Sequence, residues 1–191
     1  MADINSQLLG RYRAGADQRP GRTPAPSPDP HLITFVELLF FAYRDFTREA
    51  DAVLAEYGLG RAHHRVLHFV NRHPGLRVAD LLDILKITKQ SLARVLKQLV
   101  DEGWIVQKAG DKDRRQRLLF VTGKGGDLAG RLDALQSRRV AQALEQSEPG
   151  PGVGADDIVA RFLYAMTTQE ERARVEALLP EPIEAAAARR K

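Results

Sequence analysis

The sequence predicts a mainly α-helical protein carrying one small two-stranded β wing. Three observations predict it. Apolar residues recur at helical spacing through several long segments. A short helix is followed, across a tight connection, by 89-KQSLARVLKQLVDE-102, a helix with a polar outer face. Two short β-prone runs, 104–108 and 118–121, then bracket the basic turn AGDKDRRQR.

The elements follow in order. Residues 1–30 form a proline-rich basic arm, because five of the ten prolines fall within 10–30 beside Arg11, Arg13, Arg19 and Arg22, a composition suited to an extended segment. From His31 the pattern turns helical. Leu32, Phe35, Val36, Leu39, Tyr43, Phe46, Ala50, Val53, Leu54 and Tyr57 share helical spacing, and Leu38 and Phe41 add a second stripe, so this helix is expected to be buried on two sides. Segment 31–60 therefore reads as a subunit-interface element, stopped by Gly58 and Gly60. A helix over 61–72 turns Val66, Phe69 and Val70 inward and breaks at Pro74-Gly75. A short helix, 78-VADLLDIL-85, comes next.

Thr88 is placed to cap the helix 89–102, whose inward face is Leu92, Val95, Leu96 and Leu99 and whose stop is Gly103. Its outward face is Lys89, Gln90, Ser91, Arg94, Lys97 and Gln98, side chains of which nearly all can donate to a base edge or a phosphate. After the hairpin, Thr122 caps a helix over 124–146 with Leu128, Leu132, Leu135 and Leu144 on one side. The turn EPGPGVG leads to one last helix, 155–179, carrying Ile158, Phe162, Met166, Val175 and Leu178, and residues 180–191 form a frayed tail.

Composition narrows the function. The chain of 191 residues has no cysteine, which excludes disulfides, thiolate metal sites and thiol redox sensing. No run of about 18 apolar residues could cross a bilayer. The N-terminus has no apolar core of secretory type, which predicts a cytoplasmic protein. There is no GxSxG, no phosphate loop and no GxGxxG after a strand, so neither an enzyme nor a cofactor is expected. The net charge of +4 is unevenly spread: residues 61–122 hold thirteen Lys/Arg against six Asp/Glu, a net +7, leaving −3 for the remainder. A basic lobe on a mildly acidic body is the electrostatic footprint of a nucleic-acid-binding module.

Two helices joined by a tight turn, the second polar on its free face and followed by a basic hairpin, make a winged helix-turn-helix. The segment from 61 to 125 resembles the MarR-type bacterial transcription regulators. The hairpin carries the likeness most sharply, with Asp113, Arg114, Arg115, Leu119, Val121 and Thr122 matching the family's DRRxxxLxVT wing, flanked by EGWI and GKG. The resemblance covers 31–179. It implies a winged helix-turn-helix lobe over 61–122, and a homodimer held by the helix of 31–60 and the helices of 123–179. Each wing would reach a minor groove, and double-stranded DNA with half-sites roughly 34–36 Å apart is the expected partner.

The candidate DNA-binding residues are Thr88, Lys89, Gln90, Ser91, Arg94 and Lys97 on the helix and Lys112, Asp113, Arg114, Arg115 and Arg117 on the wing. Guanidinium groups at a hairpin tip suit the negative potential of a narrow minor groove. The family pattern implies that Asp113 holds the Arg115 side chain. It also implies an effector cleft between the first helix, the second helix and the DNA lobe, with Tyr43, Arg44, His64 and His68 as liners for a small, anionic aromatic ligand. Two alternatives stay open. His64 and His68, at i and i+4, face one way and could share a metal ion, although no third ligand is evident in sequence. A winged-helix adaptor that binds only protein would need a neutralised outer face, whereas Lys89, Arg94 and Arg115 are all present.

Overall fold

The structure, a computed structural model, describes residues 29–110, 114–147 and 155–179. Its elements are α1 (Pro30–Ala55), α2 (Arg61–Arg72), β1 (Leu76–Arg77), α3 (Val78–Leu85), α4 (Lys89–Asp101), β2 (Ile105–Ala109), β3 (Arg117–Val121), α5 (Gly123–Gln146), α6 (Ala155–Ala165) and α7 (Gln169–Leu178). The chain divides between Phe41 and Ala42 into two compact units. In the first, α1 exposes Leu32, Val36, Leu38 and Phe40. The two-sided burial expected for this helix is thus not satisfied within one chain over these residues.

The second unit holds the core. Ala50, Val53 and Leu54 of α1 join Val66, Leu67 and Val70 of α2 and Leu81 and Leu85 of α3. Leu92, Val95, Leu96 and Leu99 of α4 face into the same cluster, as their spacing predicts, and Leu128 and Leu132 of α5 complete it. Burying a leucine in this way contributes about 1.5–3 kcal/mol. Two hydroxyls fix the helix starts the sequence marks: Thr88 Oγ1 accepts from Ser91 N at 3.1 Å, and Thr122 Oγ1 accepts from Gly125 N at 3.0 Å. Among the described residues, no helix is long and apolar enough to cross a membrane.

The sheet has three strands where the sequence predicts two. All pairs are antiparallel in the order β1-β3-β2, with Ile105 opposite Val121, Gln107 opposite Leu119 and Ala109 opposite Arg117. The added strand pairs Leu76 with Leu119 and Arg77 with Leu118. Two residues are too few to show a period-2 pattern, and the strand exists only because the turn at Gly75 lays it beside β3, Gly75 N donating to Leu119 O at 2.8 Å. The single helix predicted over 155–179 is also two. It breaks at Thr167-Thr168: Thr167 Oγ1 donates to Tyr164 O at 2.6 Å, and Thr168 adopts extended backbone ahead of α7. The Thr167 hydroxyl, competing for a backbone carbonyl, and the extended Thr168 end a helix that apolar spacing alone would continue.

Candidate nucleic-acid interface

Helix α4 presents its polar face to solvent. Lys89, Gln90, Arg94 and Lys97 are exposed, Ser91 is half-buried, and Thr88 sits at the cap with Oγ1 2.9 Å from Ser91 Oγ. Lys97 forms an ion pair with Asp101 one turn on. The helix stops at Gly103, whose φ of +74° favours glycine, and the chain enters β2 at once.

The wing is rooted in the core at Trp104 and Ile105, both nearly fully buried. Trp104 Nε1 donates to Glu102 Oε2 at 3.0 Å, and the Lys124 ammonium lies 3.6 Å from the indole centroid while donating to Glu102 O at 3.1 Å. The indole N–H, and after it the Gln98 amide, hold the Glu102 carboxyl below its ordinary range. Thr122 Oγ1 donates to Gly103 O at 2.8 Å, tying the far strand to the end of α4. At Gly125 the start of α5 comes so close to the wing base that a Cβ there would lie 2.0 Å from Trp104 O. These contacts fix the hairpin relative to α4.

Arg114, Arg115 and Arg117 are exposed on the hairpin. Lys112 and Asp113, and with them the expected contact of Asp113 with Arg115, lie outside the described residues. Sequence reading passed over Arg77. It grips Asp80 through two bonds, Nε to Oδ2 at 2.7 Å and Nη2 to Oδ1 at 2.5 Å, which holds the Asp80 carboxyl below its usual range. The i,i+3 spacing of Arg77 and Asp80 at a helix start was the available signal.

A cleft of about 470 Å³ is lined by residues of α1, α2 and α5, among them Tyr43, Thr47, Arg61, His64, Arg65 and His68. Three of the four predicted liners meet there. Arg44 does not; its guanidinium lies on Asp45, Nε to Oδ1 at 3.1 Å. Arg61 and Arg65 were missed, although they flank His64 at three residues and one, respectively, on the same helix. Arg61 stands 5.6 Å from the Tyr43 ring centroid and 2.8 Å from Asp51 Oδ2, and Arg65 donates to Leu85 O at 3.3 Å. Burial, and then the neighbouring His68, push the His64 imidazole below its ordinary range. His68 Nδ1 is 2.8 Å from Asp133 Oδ1. Among the described residues no group of three or more His, Asp or Glu is arranged to hold a metal ion.

The MarR family model matches residues 57–116, from the end of the first long helix into the wing. The HTH-type transcriptional regulator PetP of Rhodobacter capsulatus is 44% identical over 135 residues, spanning 71% of this chain and 81% of that protein. The chain belongs to the MarR family. Solved MarR structures share its fold: a MarR transcriptional regulator from Methanosarcina mazei Go1 aligns with a TM-score of 0.51 at 27% identity over 62% of this chain and 85% of that one. A mutant MarR from E. coli, complexed with operator DNA, aligns with a TM-score of 0.52 at 20% identity over 71% and 93%. The protein is a MarR-type transcriptional regulator, and its relatives are regulators rather than enzymes.

Proposed function

We propose that this MarR-family regulator binds double-stranded DNA sequence-specifically as a homodimer, acting in the cytoplasm. The observation that carries this is the exposed polar face of α4 running directly into a basic, rigidly rooted wing. In this reading Arg94 and Gln90 contact base edges in the major groove, while Thr88, Lys89, Ser91 and Lys97 lie at its rim. Lys112, Arg114, Arg115 and Arg117 follow the adjoining minor groove, with Asp113 orienting Arg115. The E. coli MarR mutant complexed with operator DNA has the same fold, which supports the reading.

The exposed apolar residues of 32–40 and, separately, Ile158, Leu163 and Met166 of α6 each offer apolar surface to a partner subunit. Apolar exposure of this kind, taken within each segment by itself, is what a subunit interface removes from water. Two copies then present two recognition helices to a pseudo-palindrome. Genomic footprinting with the purified protein tests this: protected inverted repeats are expected, and a genome with no protected sites refutes it.

The same proposal assigns the cleft to a small, anionic aromatic effector. Arg61 and Arg65 supply positive charge, Tyr43 a ring face, and His64 and His68 hydrogen bonds. A thermal-shift screen of aromatic carboxylates checks this; a response only to transition metals would favour His64 and His68 as a metal site instead.

A further inference from the structure

The last helix reaches back to the helix-turn-helix. Glu171, in the first turn of α7, places Oε1 2.9 Å from Lys86 Nζ. Arg174, three residues on, donates from Nη1 to Asp83 O at 3.3 Å and to Glu171 Oε2 at 2.8 Å. Helix α7 therefore grips the C-terminal end of α3 at two points. One is the Lys86 ammonium; the other is an end carbonyl with no partner inside its own helix.

Lys86 occupies a special position. It caps α3 in the left-handed conformation, with φ 51° and ψ 42°, two residues before Thr88 caps the recognition helix. In helix-turn-helix docking the first helix crosses the sugar-phosphate backbone while the start of the second enters the groove. An ammonium at the end of α3 thus stands at phosphate level, and a carboxylate occupies it. The Lys86 and Glu171 side chains are 57% and 32% exposed, so the pair is open to water and to exchange with a phosphate oxygen.

We propose that Lys86 is a further phosphate-contacting residue of the DNA interface, and that Glu171, steadied by Arg174, is a built-in competitor for it. While the carboxylate holds Lys86, the wild-type dimer forgoes these phosphate contacts and binds DNA less tightly. Because α7 lies in the C-terminal region assigned to dimerisation, any shift of that region alters how firmly the carboxylate holds Lys86. This inference rests on the DNA-binding reading above.

The test uses the full chain on a footprinted duplex, with Kd measured by fluorescence anisotropy from 50 to 200 mM salt. Wild type, Glu171→Gln, Lys86→Gln and the double variant are compared, with circular dichroism and sedimentation confirming fold and assembly. Two phosphate contacts restored per dimer add about 1.8 to the slope of log affinity against log salt. Glu171→Gln should therefore bind about tenfold tighter than wild type at 50 mM and approach it by 200 mM. That gain should vanish when Lys86 is also replaced, and Arg174→Gln should reproduce part of it. A wild type that binds while Glu171→Gln gains nothing, or a gain that survives loss of Lys86, overturns this proposal alone. A wild type that binds no DNA overturns the DNA reading as well.

Discussion

The seam between α5 and the wing offers a stringent stability test through two glycines of one helix. A Cβ at Gly125 would stand 2.0 Å from Trp104 O, 3.0 Å from Trp104 C and 3.4 Å from Val121 Cβ. The first two are backbone atoms of a buried residue, so they cannot rotate away. An ordinary contact needs roughly 3.5 Å, so α5 and the wing base must part by more than an ångström. Overpacking of this kind costs about 1–3 kcal/mol. The displacement also strains the bonds of Thr122 to Gly125 N and Gly103 O, each worth about 0.5–1.5 kcal/mol net. Gly125→Ala should therefore destabilise by about 2–4 kcal/mol, even after the alanine helix preference is counted. For a chain of this size that lowers Tm by about 4–16 °C. At Gly130, five residues on and exposed in the same helix, an added Cβ meets nothing within 4 Å. Gly130→Ala should stabilise by about 0.5–1 kcal/mol. Urea unfolding of both variants gives the answer. A Gly125→Ala protein as stable as wild type would refute the close-approach argument, and similar effects at both sites would refute the assignment of the seam.

Three further outcomes are expected. Leu163→Glu places a charge on the exposed apolar face of α6 and should shift sedimentation from dimer toward monomer without unfolding the DNA lobe; an unchanged dimer would remove α6 from the interface. Acid should weaken the fold through His64. Its folded imidazole resists protonation, as does that of His73 by burial, so the unfolded chain takes up more protons and stability falls as pH drops below about 6.5. His64→Gln should flatten that decline in urea titrations at successive pH values, and an unaltered slope would mean His64 protonates freely. Arg65→Ala should abolish any thermal shift by an anionic aromatic ligand while leaving DNA affinity within about threefold of wild type, since Arg65 lines the cleft and not the α4 face.

Much of this molecule was legible before its coordinates, and the reasons are local. The inward residues of α4 and the caps at Thr88 and Thr122 follow from spacing and from hydroxyls that accept backbone N–H groups, and the structure shows both. What escaped was tertiary. The strand at Leu76–Arg77 is created by β3 rather than by its own pattern, and the break at Thr167-Thr168 goes with a Thr167 hydroxyl bond that apolar periodicity ignores. Within the cleft, Tyr43, His64 and His68 meet as expected, but Arg44 is drawn away by the adjacent Asp45. Arg61 and Arg65 enter only because α2 packs with that face toward α1. The Lys86–Glu171 pair joins residues 85 positions apart, a separation no local pattern reports.

The central claim is that α4 reads sequence and the wing supplies electrostatic grip, and one measurement addresses it most directly. Affinity for a footprinted duplex and for a scrambled one should be followed from 50 to 200 mM salt for wild type, Arg94→Ala and Arg115→Ala. Loss of Arg94 should shrink the preference for the true site, each bidentate base contact being worth about 1–3 kcal/mol of discrimination. Loss of Arg115 should weaken binding to both duplexes and flatten the salt slope by up to about two units per dimer, leaving the preference intact. If Arg94→Ala kept full preference and Arg115→Ala kept both affinity and salt slope, neither surface would be the DNA interface.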